Sequence, residues 1–375
     1  MKIGGRPIKH LYIIGNGFDM FHGAKSSYWD FRKYLLRRDP YIVKSFELLF
    51  GPRSIGRSIP LNALSWYFEE IPGQRPPKNV WVKDWLWADF ENHLSGLNRE
   101  KIFDLIDILL PWADEEDEDF IYADFFMPID QIKERVYKCS HEMRFRFHKW
   151  INTLSYRHGF KKNMLSLDQE AAFLNFNYTL FLEAEYHIPH NQICYIHGSR
   201  KDPYGSLILG HSLETERGLD EWIYKNKNRR RYRHNLKDKY GRYFPNYHLA
   251  YLAYFTRRGA EDENWIYPVR YYALDYAIDA FAAYYEDTYK NTQQVISKHA
   301  EFFNSLSQVE QITVIGHSMS KVDLPYFRKI IASVNQPELV KWSISYHSGN
   351  PDLLRHKIAK QLNYPTLENA HTFRL

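Results

Sequence analysis

The chain has 375 residues, of which 44% are apolar, 25% charged and 17% aromatic, and its formal net charge is +5. These values fit a soluble globular protein of one large domain with insertions or of two ordinary domains, and they exclude collagen-like, disordered and disulfide-stapled classes. Cys139 and Cys194 are the two cysteines, too few for a four-cysteine zinc site, and their scarcity points to a reducing compartment. No apolar run approaches the ~20 residues of a spanning helix, and residues 11–14 are too short for the apolar core of a signal peptide. A cytoplasmic protein without membrane contact is expected. The charge is local: segment 225–242 sets nine basic residues against Asp238 alone, whereas 114–119 is an unbroken acidic run.

In chain order, residues 7–14 read as a short apolar strand closed by Gly15-Asn16-Gly17, and 27–38 as a helix, giving a β–loop–α opening. From 40 to 165 the apolar spacing is mostly helical, with amphipathic helices expected at 85–97, 102–110 and 129–156, broken by Pro76-Pro77, Pro111 and the acidic run. This stretch reads as a helical insertion. Strands return at 171–176, 193–197 and 206–210. Residues 211–310 read as a second insertion, with the basic segment near its start and one long Tyr/Ala-rich helix over 269–303. Residues 312–315, followed by Gly316-His317-Ser318 and a helix over 325–334, repeat the β–loop–α unit, and 339–346 gives a further strand.

Strands that alternate with helices predict a single α/β domain over 1–375 with a mostly parallel sheet, helices on both faces and two large helical insertions. Ligands of such sheets sit beyond the carboxyl ends of the strands. The loops 15–19, 175–179, 197–199 and 316–318 are therefore expected to converge on one site.

Gly15-Asn16-Gly17 directly after a strand lets a backbone approach a ligand phosphate, with the partial charge of a helix N-terminus behind it. The third glycine of a dinucleotide fingerprint would fall at Met20, so an ordinary dehydrogenase is not supported, and a plain βα turn is the alternative. Asn177, in Asn175-Phe176-Asn177-Tyr178-Thr179, could hold a ribose hydroxyl or a water; its other reading is a turn residue, with Thr179 the better helix cap. His197, at a strand end beside Gly198, is placed for acid–base work near neutral pH. The histidines at 10, 141, 148, 158, 187 and 190 read as surface or satisfied residues.

Three further signals compete. Gly316-His317-Ser318 has the outline of a nucleophile elbow, with Asp323, Asp352, His356 and His371 downstream, but the second glycine is missing and little chain follows. Trp85, Trp87, Asp89, Phe90 and Glu91 share a predicted helix; core packing explains them better than chemistry, which leaves Glu91 an outlying candidate. The 225–242 segment, with Tyr232 and Tyr240, could track a nucleic-acid backbone, or form a solvated arm. No clustered carboxylates support a metal-dependent nuclease, and no metal is expected.

The series Leu11-Tyr12-Ile13-Ile14-Gly15-Asn16-Gly17-Phe18-Asp19, His22-Gly23, Ser27-Tyr28-Trp29-Asp30-Phe31, 173–179, Ile196-His197-Gly198, Leu209-Gly210-His211 and Ile315-Gly316-His317-Ser318 with Asp323 resembles the bacteriophage abortive-infection AbiH family over nearly the whole chain. That family in turn resembles the sirtuin-like, Rossmann-type fold, whose members bind NAD through a glycine loop, an asparagine loop and a histidine-glycine loop in this chain order. The resemblance implies a phosphate loop of Gly15, Asn16, Gly17, Phe18 and Asp19, Asn177 at the ribose or attacking water, and His197 as base. It also implies nucleotide contacts from Gly316, Ser318 and Asp323, and a lid segment at Asp30-Phe31-Arg32. Thr179 stands where sirtuins have an aspartate, the loop before Asp30 is longer, and the zinc ribbon is absent, which argues against a protein deacylase. The implied function is a phage-defence effector that binds NAD and hydrolyses its nicotinamide–ribose bond, with NAD as substrate and no cofactor required. A phage-derived trigger and homo-oligomeric assembly are expected with it. The alternative is a nucleotide- or nucleic-acid-sensing module of a defence system without turnover.

Overall fold

A computed structural model describes residues 7–50, 84–97, 122–155, 164–203, 207–211, 280 and 282–375. Six strands, β1 (His10–Ile14), β2 (Ala172–Asn175), β3 (Ile193–Tyr195), β4 (Gln311–Ile315), β5 (Lys341–Tyr346) and β6 (His371–Arg374), form one sheet in the order β3-β2-β1-β4-β5-β6. Every pairing is parallel, with β1 central: Leu11 opposes Ala172 on one side and Ile312 on the other. Both faces are covered around β1, β2, β3 and β4, which is why these strands read as nearly continuous apolar runs, whereas β5 alternates and the edge strand β6 is mostly polar. Leu11 and Ile13 enter one core with Ile312, Val314, Ile344 and Phe327 of the helix Leu324–Ser333. Tyr12 and Ile14 enter the other, with Phe173, Phe18 and Phe181.

The chain builds outward from β1 to β2 and β3, then crosses back to lay β4, β5 and β6 on the opposite side. This is the order of the doubly wound α/β sheet, and the reversal between β1 and β4 opens a crevice at their carboxyl ends. Between β1 and β2 lie the helices Tyr28–Arg38, Pro40–Phe50, Asp84–Ala88, Phe90–His93, Tyr122–Tyr137 and Met143–Ile151. The helix Tyr28–Arg38 begins where Ser27 accepts from the Asp30 amide, an N-cap that satisfies one of the first-turn donors.

Several expected elements differ. The helix foreseen at 85–97 breaks at Asp89 into Asp84–Ala88 and Phe90–His93. The one at 129–156 starts earlier, at Tyr122, and passes through a π turn at Lys138–Glu142 before Met143–Ile151. Residues 207–211 form no strand; His211 makes a single parallel bridge to Tyr289. That bridge also breaks the long helix expected over 269–303. Helix 282–288 ends where His211 N donates to Thr288 O (3.0 Å) and Lys290 N to His211 O (2.7 Å), and Asn291 then caps a new helix, Thr292–Lys298. A Cβ on Gly210 would lie 2.0 Å from Thr288 O, so only glycine permits this approach. β6 has no counterpart in the sequence reading, because His-Thr-Phe-Arg is short and half-exposed. The expected helix at 102–110, the acidic run 114–119 and the basic segment 225–242 lie outside the described residues. No helix among the described residues is long and apolar enough to cross a membrane.

Candidate functional site

The turns after β1 and β4 interlock at the crevice. Gly316 has φ +65°, and a Cβ there would meet Phe18 N at 2.1 Å; a Cβ on Gly15 would meet His317 Cα at 2.6 Å. The glycines let two backbones meet without side chains between them. Two amides cross that contact, Gly15 N donating to Ile315 O (2.9 Å) and Gly17 N to Gly316 O (2.8 Å), while Phe18 N donates to Gly15 O (2.9 Å) within the first turn. Asn16 Nδ2 is directed to Ser26 O at 2.8 Å. The amides of Gly15 and Gly17, two of the donors foreseen for ligand phosphates, thus hold the two turns together.

Below this contact, Asp19 is buried and accepts two hydrogen bonds, from Asn177 Nδ2 at 2.9 Å and Thr179 Oγ1 at 2.5 Å. Burial raises its pKa to about 6, against the lowering by these donors and by the charge of Arg200. Asn177 Nδ2 also donates to Gly15 O at 3.0 Å. Both amide hydrogens of Asn177 are therefore engaged, which leaves its carbonyl oxygen to accept from a ligand. Thr179, the departure noted in the sequence, supplies a hydroxyl donor to Asp19 where a second carboxylate would repel it.

The densest electrostatics surround Asp323, which precedes the helix Leu324–Ser333 and turns its side chain away from capping it. Asp323 Oδ1 accepts from Lys290 Nζ at 2.8 Å and lies 3.9 Å from His197 Nε2. Its Oδ2 accepts from Ser320 Oγ at 3.2 Å and lies 3.6 Å from His317 Nε2. Lys290 also reaches Glu91 Oε2 at 3.4 Å, and Glu91 Oε1 accepts from Tyr28 OH. Although burial opposes each charge, Lys290 holds the Asp323 carboxyl below its ordinary range, and Asp323 and Glu91 keep the Lys290 ammonium charged. Burial raises the pKa of Glu91, with Lys290 opposing. His197 is driven well below its ordinary value by burial and by Lys290, with Asp323 opposing, and burial pushes His317 to about 4. Both imidazoles are neutral at pH 7. His317 Nδ1 accepts from Met319 N at 2.9 Å, whereas His197 Nε2 is buried without a hydrogen-bond partner among the described residues.

Of these groups Tyr28, Glu91, His197, His317, Ser320 and Asp323 line a cavity of about 490 Å³, to which the first insertion also contributes Trp87, Phe90, Phe147, Trp150 and Leu154. Arg200 pins the wall of Trp150 and Leu154 by donating to Ile151 O (2.6 Å) and Leu154 O (2.9 Å). The carboxylates of Asp19, Asp89, Glu91 and Asp323 are on the lining; among the described residues there, no Lys or Arg is. The cavity is acidic.

Of the residues foreseen from the sequence, Gly15, Asn16, Gly17, Asp19, Asn177, His197, Gly316, Ser318 and Asp323 meet at this cavity. Phe18, Asp30 and Phe31 do not. Phe18 packs on His22, Phe181 and Tyr186, and Phe31 is fully buried among Trp87, Phe90, Phe147 and Trp150. Asp30 faces a neighbouring cleft, and Arg32 is buried in an ion pair with Glu47 (2.6 Å). The alternative triad does not assemble: Asp352 pairs with Arg355 and His356 with Glu368, away from Ser318. Tyr28 and His317 stood within the quoted motif series without a role of their own, and Lys290, inside the long helix expected over 269–303, was not singled out; the Asn291-Thr292 cap signal beside it marks where that helix breaks.

A parallel six-stranded sheet in this strand order, with charged side chains gathered at its switch point, defines an α/β protein of the doubly wound class. The family model for bacteriophage abortive infection AbiH matches residues 11–346, and the chain belongs to that family. Its role is accordingly in phage abortive infection. No curated protein and no solved structure matches the chain.

Proposed function

We propose that this protein acts in abortive infection by hydrolysing NAD at the nicotinamide–ribose bond, in keeping with the sirtuin-like resemblance of its loop series. The observation that carries the reading is the acidic cavity with the unpartnered Nε2 of a neutral His197 beside Asp323. Nicotinamide leaves as a neutral molecule from a cationic pyridinium, and positive charge grows on the ribose, as in glycoside cleavage. Four acidic residues line the site against one cation, Lys290, which pairs with Asp323 and Glu91 from outside the lining, and that excess of negative charge favours it.

In this reading the carbonyl of Asn177 accepts from a ribose hydroxyl, and the His197 imidazole accepts the proton of the attacking water. The C1′–N bond breaks with its electron pair going to nicotinamide, a C1′–O bond forms, and the products are nicotinamide, ADP-ribose and one proton. Asp323 stabilises the imidazolium as it forms, while Lys290 keeps Asp323 ionised. Loss of a positioned general base costs about 10²–10⁴ in rate. Cells expressing the protein should lose NAD on phage challenge, with nicotinamide and ADP-ribose accumulating, and cells carrying folded His197→Gln should keep it. Retained NAD in both, or equal depletion in both, overturns the reading. The rival, sensing without turnover, predicts the first of these outcomes.

A further inference from the structure

The acidic cavity fits the cationic end of a dinucleotide and repels its diphosphate. Next to it lies a second cleft, of about 760 Å³, with the opposite charge. Lys25, Lys33 and Arg37 line it against one carboxylate, Asp30, and Trp150 and Leu154 belong to both linings. Asp30, Lys33, Tyr34 and Arg37 are spaced i, i+3, i+4, i+7 along the helix Tyr28–Arg38, so one helix face supplies most of the floor. Asp30 is already engaged, accepting from Ser27 Oγ at 2.5 Å and Lys33 Nζ at 3.3 Å. Arg37 uses Nε on Lys33 O at 3.2 Å, and neither Lys25 nor Arg37 has a carboxylate partner among the described residues. The terminal nitrogens of Arg37 retain the fork that binds phosphate oxygens.

We propose that this cleft binds the diphosphate and adenosine half of the dinucleotide, which straddles the wall of Trp150 and Leu154 with its nicotinamide riboside in the acidic cavity. The proposal rests on the NAD-cleaving reading of that cavity. It assigns the phosphates to side chains of the helix Tyr28–Arg38 rather than to the glycine turn, where the Gly15 and Gly17 amides already donate to Ile315 O and Gly316 O. Tyr34, half-buried at the cleft, offers a ring face to adenine.

The test is the double variant Lys33→Ala/Arg37→Ala, two exposed helix positions where alanine is well tolerated. Its KM for NAD should rise about tenfold or more, the loss of one or two charge-assisted contacts. Its kcat should hold, and its KM for nicotinamide riboside, which carries no phosphate, should match the wild type. An unchanged KM for NAD overturns the proposal and leaves the cavity reading standing. Calorimetric titration with ADP-ribose needs no turnover: wild-type binding should weaken steeply with salt and fall at least tenfold in the variant. Absence of wild-type binding, or equal affinity in the variant, overturns the proposal. ADP-ribose that changes kcat at saturating NAD would make the cleft a separate regulatory site and also overturn it. Failure of NAD turnover together with variant-sensitive ADP-ribose binding counts against the proposed activity alone.

Discussion

Two buried ion-pair networks include carboxylates of the first insertion, Glu47 in one and Glu91 in the other. In one, Glu47 Oε1 accepts from Arg32 Nε at 2.6 Å and from Trp87 Nε1 at 3.0 Å. In the other, Lys290 joins Asp323 to Glu91 beside two imidazoles. Both leave polar atoms without partners among the described residues, Arg32 Nη2 and Glu47 Oε2 in the first, His197 Nε2 in the second. The difference is open volume. Arg32 and Glu47 are enclosed by packed side chains, whereas Glu91, Asp323 and His197 border the cavity. Buried charge by itself marks structure as often as function; unmet hydrogen-bonding capacity facing a space that a ligand could fill marks a site.

The largest effect that would test this contrast is at Lys290, whose side chain is fully buried. Lys290→Met leaves Asp323 and Glu91 without their shared cation, and breaking a buried pair on one side costs about 3–5 kcal/mol. Denaturant titration should show that loss, and NAD turnover should vanish with it. A variant with unimpaired turnover would remove Lys290 from the supporting network. Arg32→Met and Glu47→Leu should each cost a similar ~3–5 kcal/mol in stability, yet turnover per folded molecule should hold. The double replacement should recover most of the stability, because no unpaired charge remains. If Arg32→Met lowered kcat in proportion to the cavity variants, the two networks would be one.

What the sequence made legible follows the same division. β1 to β4 could be read because each is a mostly apolar run followed closely by glycine, asparagine or histidine, and their carboxyl-end loops converge as the parallel-sheet rule requires, while β5 was legible from its alternating Trp342, Ile344 and Tyr346. β6 could not, since it gains its place only by pairing with β5 at the sheet edge. Asn177 and His197 were visible as polar residues at strand ends. Phe18 and Phe31, read as ligand contacts, are core rings, the ordinary fate of an aromatic side chain in a chain so rich in them. Lys290 was hidden because its partners are distant in sequence: Glu91 arrives from the first insertion, Asp323 from the turn after β4, and the bridge to His211 that ends its helix is long-range. No local pattern encodes such a meeting.

Acid titration gives a smaller effect that separates the groups within the second network. Burial lowers His317 from 6.5 to about 4 and drives His197 well below its ordinary value, so as pH falls below 6.5 the unfolded chain binds protons that the folded one refuses. Stability from these imidazoles should be complete above about pH 6.5 and be lost as pH falls toward 4. Asp19 acts in the opposite sense: raised from 3.8 to about 6, it takes up a proton in the folded state first, so its contribution grows as pH falls through that window. Glu91, also raised by burial, acts in the same sense as Asp19, so the two carboxyls and the two imidazoles oppose each other. Relative to the wild type, His317→Gln should lessen the acid loss in urea midpoint between pH 6.5 and 4, and Asp19→Asn, which removes the compensating uptake, should increase it. A His317→Gln midpoint that tracks the wild type across this range would place the acid sensitivity elsewhere and detach His317 from the Asp323 cluster. Opposite slopes in the two variants would show that the imidazole side and the amide side of the cavity titrate as separate halves of one site.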